Sequence, residues 1–142
     1  MKVKIKPISD HFKVPTYGTK GAACFDLYSA EKVTILPGVT TLVNLGFKIE
    51  VPEGLYMEIR PRSGMGIKQG MLIPNSPGTI DSDYRGDAMV GLLNASGKNF
   101  TVDIGDRIAQ GMIKKYETTE FEVVDELTET ERGEGGIGST GI

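Results

Sequence analysis

Apolar and polar residues alternate along much of this chain with a period of two. In TTLVNLGFKIEV, Val43, Leu45, Phe47, Ile49 and Val51 fall on one face, and Asn44, Gly46, Lys48 and Glu50 on the other. Leu55, Met57 and Ile59 alternate with Tyr56, Glu58 and Arg60, and Val3 and Ile5 alternate with lysines. Phe100, Val102 and Ile104 lead into a turn at Gly105-Asp106. Successive strand side chains point to opposite faces, so this period predicts strands with one buried face each. Pro37-Gly38, Pro52-Glu53-Gly54, Pro77-Gly78 and Ser96-Gly97 punctuate the runs as turns. A long helical pattern is absent; one short helix is expected in SGMGIKQGM, Ser63 to Met71, weakened by its glycines. Many short strands with regular turns predict a β-sandwich, jelly roll or barrel. The stretch Glu117 to Glu131 is acid-rich. Phe121, Val123 and Val124 inside it predict a last strand, followed by a solvated linker into the glycine-rich end RGEGGIGSTGI.

Length and composition narrow the classes. At 142 residues the chain is one domain by size, and 39% hydrophobic residues suffice for an ordinary core. A net charge of −3 argues against general nucleic-acid binding, which wants a basic surface. A small anionic ligand remains compatible, because local charge counts for more than the total. One cysteine, Cys24, excludes an internal disulfide, and one histidine, His11, sits in a turn-like stretch with no metal-ligand spacing around it. No run approaches the ~18 apolar residues of a membrane span, and MKVKIKPI lacks the apolar core of a signal peptide. The expected location is cytoplasmic, with no membrane partner.

Four segments carry candidate chemistry. In PRSGMG, Pro61 to Gly66, backbone N–H groups, the Ser63 hydroxyl and the Arg62 guanidinium together suit a phosphate. The same residues also make a capped turn, with Ser63 as N-cap and Arg62 paired to a carboxylate. In NSPGTIDSDYRGD, Asn75 to Asp87, acids crowd what reads as a β-hairpin between apolar strands, with Gly78 and Gly86 permitting tight reversals. Asp81 follows Ile80 in strand-like sequence, so a rigid element presents its carboxylate, either to activate water or to hold Mg²⁺. In GDRIAQGMI, Gly105 to Ile113, Asp106 and Arg107 read as a salt bridge at a turn, and Gln110 can donate to a phosphate or hold a water. The glycine-rich end reads either as a flexible terminus or as an arm whose Arg132 and unshielded N–H groups wrap an anion.

In order and spacing these segments resemble the five motifs of the trimeric deoxyuridine triphosphatase (dUTPase) family. The counterparts are ACFDLYSA, PRSGMG, GTIDSDYRGD, GDRIAQGMI and RGEGGIGSTG, spread from Ala23 to Gly141. The resemblance implies an all-β, distorted jelly-roll or β-clip subunit with at most one short helix. It also implies a β-domain over residues 1–131 and a C-terminal arm over 132–142 that closes over a neighbouring site of a homotrimer. The implied reaction is hydrolysis of dUTP to dUMP and pyrophosphate with Mg²⁺. By the same resemblance Asp81 is the general base for the attacking water. Tyr84 packs under the deoxyribose. Asn75 reads uracil with main-chain groups from Thr79 to Met89, including Ile80 and the backbone at Gly78. Arg62, Ser63, Gly64 and Gln110 contact phosphates, as do Arg132, Ser139 and Thr140, with Gly138 beside them on the arm. Asp26 holds waters of the Mg²⁺ that the triphosphate chelates.

The chain departs from the family pattern at four places. Cys24 replaces a glycine, Gly66 and Gly111 replace larger apolar residues, and Ile137 stands where the arm usually carries the phenylalanine that stacks on uracil. With Ile137 as an aliphatic lid, Phe100 is a second candidate for the stacking group, though its alternating strand favours a core role. Two further readings belong to other classes. A deoxycytidine triphosphate deaminase shares the fold but needs a glutamate at the base, and Asp-Ser-Asp-Tyr offers none. A nucleotide-gated binding protein would signal arm closure to a regulatory protein partner.

Overall fold

The structure, a computed structural model, describes residues 1–137. The arm positions Gly138, Ser139 and Thr140 lie outside the described residues. Eleven strands are described: β1 Lys4–Pro7, β2 Thr16–Tyr17, β3 Phe25–Tyr28, β4 Val33–Ile35, β5 Thr40–Glu50, β6 Leu55–Arg60, β7 Met71–Leu72, β8 Gly78–Ile80, β9 Asp87–Asn94, β10 Phe100–Val102 and β11 Arg107–Lys115. They form a four-stranded sheet, β1-β5-β9-β7, a five-stranded sheet, β2-β3-β11-β6-β8, and a two-stranded ribbon, β10-β4. All pairings are antiparallel. The result is a jelly-roll-like all-β fold, one of the three architectures that the alternating pattern predicted and the one that the resemblance implied. The inward sets meet in one core: Val43, Leu45, Phe47, Ile49 and Val51 are all buried, and Met57 and Ile59 come from the other sheet. Each fully buried aliphatic or aromatic side chain contributes roughly 1.5–3 kcal/mol by leaving water.

Two glycines solve packing problems in this core. Gly46 has φ +77°, and a Cβ there would stand 2.7 Å from the Ala30 Cβ, where β5 shifts register between its β9 and β1 partners. Gly111 lies under the Phe25 ring, and a Cβ there would meet it at 2.6 Å. The small residue of the fourth motif and the large one of the first are therefore a packed pair. Gly111→Ala is expected to destabilise the fold by ~1–3 kcal/mol through overpacking. Phe25→Leu in the same chain should recover part of that loss in a urea titration; no recovery would separate the two positions.

Four local expectations change. The helix shrinks to one wide π turn, Gly64–Lys68, ended by Gly70 at φ +68° before Met71 enters β7. Ser63 makes no capping bond there, so the capped-turn reading fails for its hydroxyl. The segment from Asn75 to Asp87 is no hairpin: β8 pairs with β6 and β9 with β5, so the stretch crosses from one sheet to the other. Phe121, Val123 and Val124 form no strand; Phe121 and Val123 are 88% and 98% exposed. A strand needs a ladder partner for its backbone groups, and within this chain no described edge supplies one.

The outward face of β6 is less polar in its environment than in its sequence. Glu58 is buried and accepts from Tyr56 Oη at 3.0 Å, Lys114 Nζ at 3.2 Å and Arg60 Nε. Desolvation works against its charge, but Arg60, Tyr56 and Lys114 outweigh it and hold its carboxyl below the usual glutamate range. A lowered value makes this pairing a stabiliser at neutral pH that is lost as the pH falls through the folded-state value.

Candidate active site

Most of the predicted site residues that are described gather in two places. The first is the end of the five-stranded sheet where β3, β11 and β6 align Asp26, Gln110 and Arg60 in one row. Gln110 Nε2 donates to the Pro61 carbonyl at 2.9 Å and so ties β11 to the loop that carries Arg62 and Ser63. Arg62 Nε pairs with Asp26 Oδ1 at 2.9 Å, and Arg62 Nη1 donates to the Arg107 carbonyl at 3.1 Å. Arg107 Nη1 reaches Asp26 Oδ2 at 3.4 Å. Asp106 is not its partner; the Asp106 carboxylate accepts from the Asp103 N–H at 2.9 Å and closes its own turn. The expected Asp106–Arg107 bridge is thus replaced by a pair across the sheet.

Beside this row lies a cleft of about 310 Å³ lined in part by Arg62, Gly64, Lys68, Phe100, Asp106 and Arg107. Three cations against one lining carboxylate make it locally positive on a chain of net charge −3. Ser63 is exposed at the mouth of the helical turn, with its hydroxyl free of a cap. Phe100 packs partly against the core while one side borders the cleft. Lys68 and Arg107 escaped the sequence reading. The signal for Arg107 was its place three residues before Gln110 in one strand, hidden because the neighbouring Asp106 offered a simpler partner.

The second place is a cleft of about 230 Å³ lined by Leu42, Thr79, Ile80, Asp81, Tyr84, Asp87 and Met89. It brings together five of the residues expected to hold base, sugar and water. Tyr84 is fixed by its hydroxyl, which donates to the Asp87 carbonyl at 3.1 Å, and by its N–H to the Asp81 carbonyl at 3.2 Å. Its ring lies over Gly86, where a Cβ would stand 2.2 Å from the hydroxyl oxygen. The Asp81 carboxylate is exposed and makes no hydrogen bond or ion pair among the described residues, so it is available to a ligand. Asn75 is exposed in the turn before β8, its Nδ2 3.5 Å from where a Cβ on Gly78 would stand. Leu42 was missed. Its signal was being the one apolar residue among Leu42, Asn44, Lys48 and Glu50 on the outward face of β5. No glutamate lines this cleft among the described residues, while Glu50 and Glu53 line the neighbouring cleft on the other side of Asp81.

Within one chain the two places do not merge. Ile80 pairs with Met57, so Asp81 stands level with Tyr56, while Gln110 stands level with Arg60. Four residues of strand separate those levels, roughly 13 Å at ~3.3 Å per residue. Arg132 is exposed, with Nε donating to the Gly135 carbonyl at 2.8 Å, and Ile137 is fully exposed. Neither borders either cleft. Among the described residues no group of three or more His, Cys, Asp or Glu side chains could hold a metal ion. No described helix is long and apolar enough to cross a membrane.

Known proteins align with this chain almost end to end. It is 44% identical over 142 residues to the deoxyuridine 5'-triphosphate nucleotidohydrolase of Helicobacter pylori strain P12, covering 100% of this chain and 98% of that one. It is 48% identical over 141 residues to the protein of the same name from Nautilia profundicola, covering 99% of each. Its backbone superimposes on the Staphylococcus bacteriophage 80alpha dUTPase G164S mutant with dUpNHpp at TM-score 0.91, with 25% identity and 99% coverage of both chains. A family model for dUTPase matches residues 10–141, which takes in both clefts and all but the last residue of the glycine-rich end, and the chain belongs to the dUTPase family.

Proposed function

We infer that this chain hydrolyses dUTP to dUMP and pyrophosphate, which clears dUTP from the nucleotide pool and supplies dUMP for thymidylate synthesis. The observation that carries this reading is the cleft that holds Asp81, its carboxylate without a partner among the described residues, beside the Tyr84 ring, on a chain with a separate cationic cleft. Asp81 takes a proton from the water that attacks the α-phosphorus. It follows directly on β8, so the strand anchors the backbone that presents the carboxylate, and correct placement of a base is where such groups gain their effect. Tyr84, held by its own hydroxyl, packs under the deoxyribose and leaves no room for a 2′-hydroxyl. Uracil is read by Asn75 and by backbone groups of Gly78, Thr79, Ile80 and Met89, a pattern that cytosine cannot match. Arg62, Ser63, Gly64 and Gln110 take the phosphates, joined by Arg132, Ser139 and Thr140 of the arm.

Mg²⁺ fits this donor set as a companion of the triphosphate. Asp26 offers a carboxylate with lone pairs left over after its two arginine contacts, enough to hold metal-bound waters. Mg²⁺ bound through substrate phosphates needs only one or two carboxylates. When bound it supplies charge neutralisation on the phosphates, while the residues above bind, orient and deprotonate.

A homotrimer with shared sites accounts for the ~13 Å between the Asp81 level and the Gln110 level, since one subunit can offer the base and another the phosphate row. Residues 1–131 then form the β-domain and 132–142 the arm that closes on a neighbour. The working location is the cytoplasm, where the nucleotide pool lies.

The direct test is pyrophosphate release from dUTP with Mg²⁺, run beside dCTP, dTTP and UTP. Release from dUTP alone is expected; equal turnover of dCTP, or none of dUTP, would overturn the reading. On the arm, Ile137 covers the uracil face in place of a phenyl ring. Stacking on an aromatic is worth ~1–3 kcal/mol per base, and apolar burial by isoleucine recovers part of it. Ile137→Phe should lower KM or leave it unchanged at constant kcat, and Ile137→Ala should raise KM modestly. An Ile137→Ala enzyme with both constants unchanged would take position 137 off the base.

A further inference from the structure

The loop that carries Asp81 and Tyr84 is fixed mostly by its own residues. The Tyr84 N–H closes a turn on the Asp81 carbonyl at 3.2 Å. Arg85 folds back on that turn, and its Nη1 donates to the Ser82 carbonyl at 2.7 Å and to the Tyr84 carbonyl at 2.8 Å. The Tyr84 ring folds forward, and its hydroxyl donates to the Asp87 carbonyl at 3.1 Å. Asp87 opens β9, in register with Lys48 of β5, and its carboxylate lies 3.5 Å from the Lys48 ammonium. The acceptor for the hydroxyl thus belongs to a sheet and not to the loop. Gly86 lies beneath the ring. A Cβ there would stand 2.2 Å from the Tyr84 hydroxyl oxygen, 2.5 Å from Cζ and 2.9 Å from Cε2. Gly86 has no positive φ, so the approach of the ring, and not the backbone conformation, calls for glycine.

We propose that Gly86 and Arg85 are positioning residues for the Tyr84 ring, and that through it they set the discrimination between deoxyribose and ribose. An apolar pocket rejects an added hydroxyl only weakly, by ~10²-fold. Refusal of a 2′-hydroxyl by a ring is steric, so it is as strong as the ring is immobile. Tyr84 is 40% exposed, and packing alone does not hold it. The Asp87 carbonyl holds the tip of the ring, and the Arg85 staple holds the backbone behind it. The bare Cα of Gly86 lets the ring lie low enough to reach that carbonyl. A methyl group at position 86 would lift the ring and break the hydroxyl bond. The ring is the far end of a side chain with solvent beside it, so it can swing out. Gly86→Ala is therefore cheap for the fold and costly for the wall that faces the sugar.

The role of Gly86 and Arg85 rests on the function proposed above, in which Tyr84 packs under the deoxyribose, so the test reads Tyr84 separately. Values of kcat/KM are measured on the full chain for dUTP, UTP and dCTP with Mg²⁺, beside a thermal melt. The variants are Gly86→Ala, Arg85→Gln, Tyr84→Ala and the two doubles with Tyr84→Ala. A site group misplaced by ~1 Å can cost ~10²-fold, so Gly86→Ala should lower the dUTP-over-UTP ratio about tenfold or more. Arg85→Gln should lower it about threefold, the net weight of roughly one hydrogen bond. Both melting midpoints should stay within ~3 °C of wild type. The dUTP-over-dCTP ratio should change less than about twofold, because other groups read the base. In the Tyr84→Ala background both further losses on UTP should also fall below about twofold, the non-additivity expected when one residue acts through another. A Gly86→Ala enzyme that keeps the wild-type dUTP-over-UTP ratio would overturn the proposal. A parallel fall in the dCTP ratio, or losses that add in the doubles, would also overturn it by reducing both residues to general support of the loop. A Tyr84→Ala enzyme with an unchanged ratio would remove the sugar role of Tyr84 itself, and the role of its supports with it. Arg85→Gln alters an exposed side chain, so it keeps the test open if Gly86→Ala fails to fold.

Discussion

Asp81→Asn should bind dUTP normally and turn it over two to four orders of magnitude more slowly, the usual weight of a positioned general base. The substitution keeps the volume and the exposed setting of the side chain and removes only its capacity to accept a proton. No ion pair or hydrogen bond of the described residues is lost with the charge, because the Asp81 carboxylate makes none; its carbonyl keeps the bond from the Tyr84 N–H. Stability should therefore stay within about 0.5 kcal/mol of wild type, as for surface positions without special contacts. The loss should appear in kcat rather than KM, since the asparagine still lines the cleft beside Tyr84. Steady-state kinetics with a parallel thermal melt decide it. Turnover within tenfold of wild type would take Asp81 out of the role of base.

Deleting residues 132–142 should cost at least about a hundredfold in kcat/KM while leaving the assembled β-domain intact. Arg132 and the arm hydroxyls are expected to add charge-assisted contacts to the phosphates, each worth ~1.5–3 kcal/mol when shielded, and ~1.4 kcal/mol is a factor of ten. Closure of an arm also excludes water and completes a site. The fold has little to lose. No residue from Tyr116 to Ile137 belongs to a described strand, and none belongs to the hydrophobic core. Light scattering before and after truncation reads the mass, and pyrophosphate release reads the activity. A truncated chain that falls apart would make the arm part of the scaffold. One that keeps full activity would remove it from the site.

Much of the scaffold was legible because strand periodicity is a local property. Val43, Leu45, Phe47, Ile49 and Val51 alternate in the sequence and are buried together in the structure. The segments with unusual chemistry were legible for a similar reason: Thr79, Ile80, Asp81 and Tyr84 are close in sequence, and they line one cleft. Period two names a face; it does not name a partner. Which sheet receives β8 and which receives β9 is settled by pairing with β6 and β5, strands distant in the chain, and so an apparent hairpin became a bridge between sheets. Glu58 reads as an outward polar residue, yet Tyr56, Arg60 and Lys114 enclose it. Phe121 and Val123 carry the right residues for a strand, but a strand exists only where an edge accepts its hydrogen bonds. The pairing of Arg107 with Asp26 rather than Asp106 was decided by the bulge in β11, which carries the arginine to a carboxylate 81 positions away. Local alternation and residue type determined the strands and the candidate chemistry. Long-range register decided which charges meet, because Coulomb attraction and hydrogen bonds act over ångströms in space and take no account of distance along the chain.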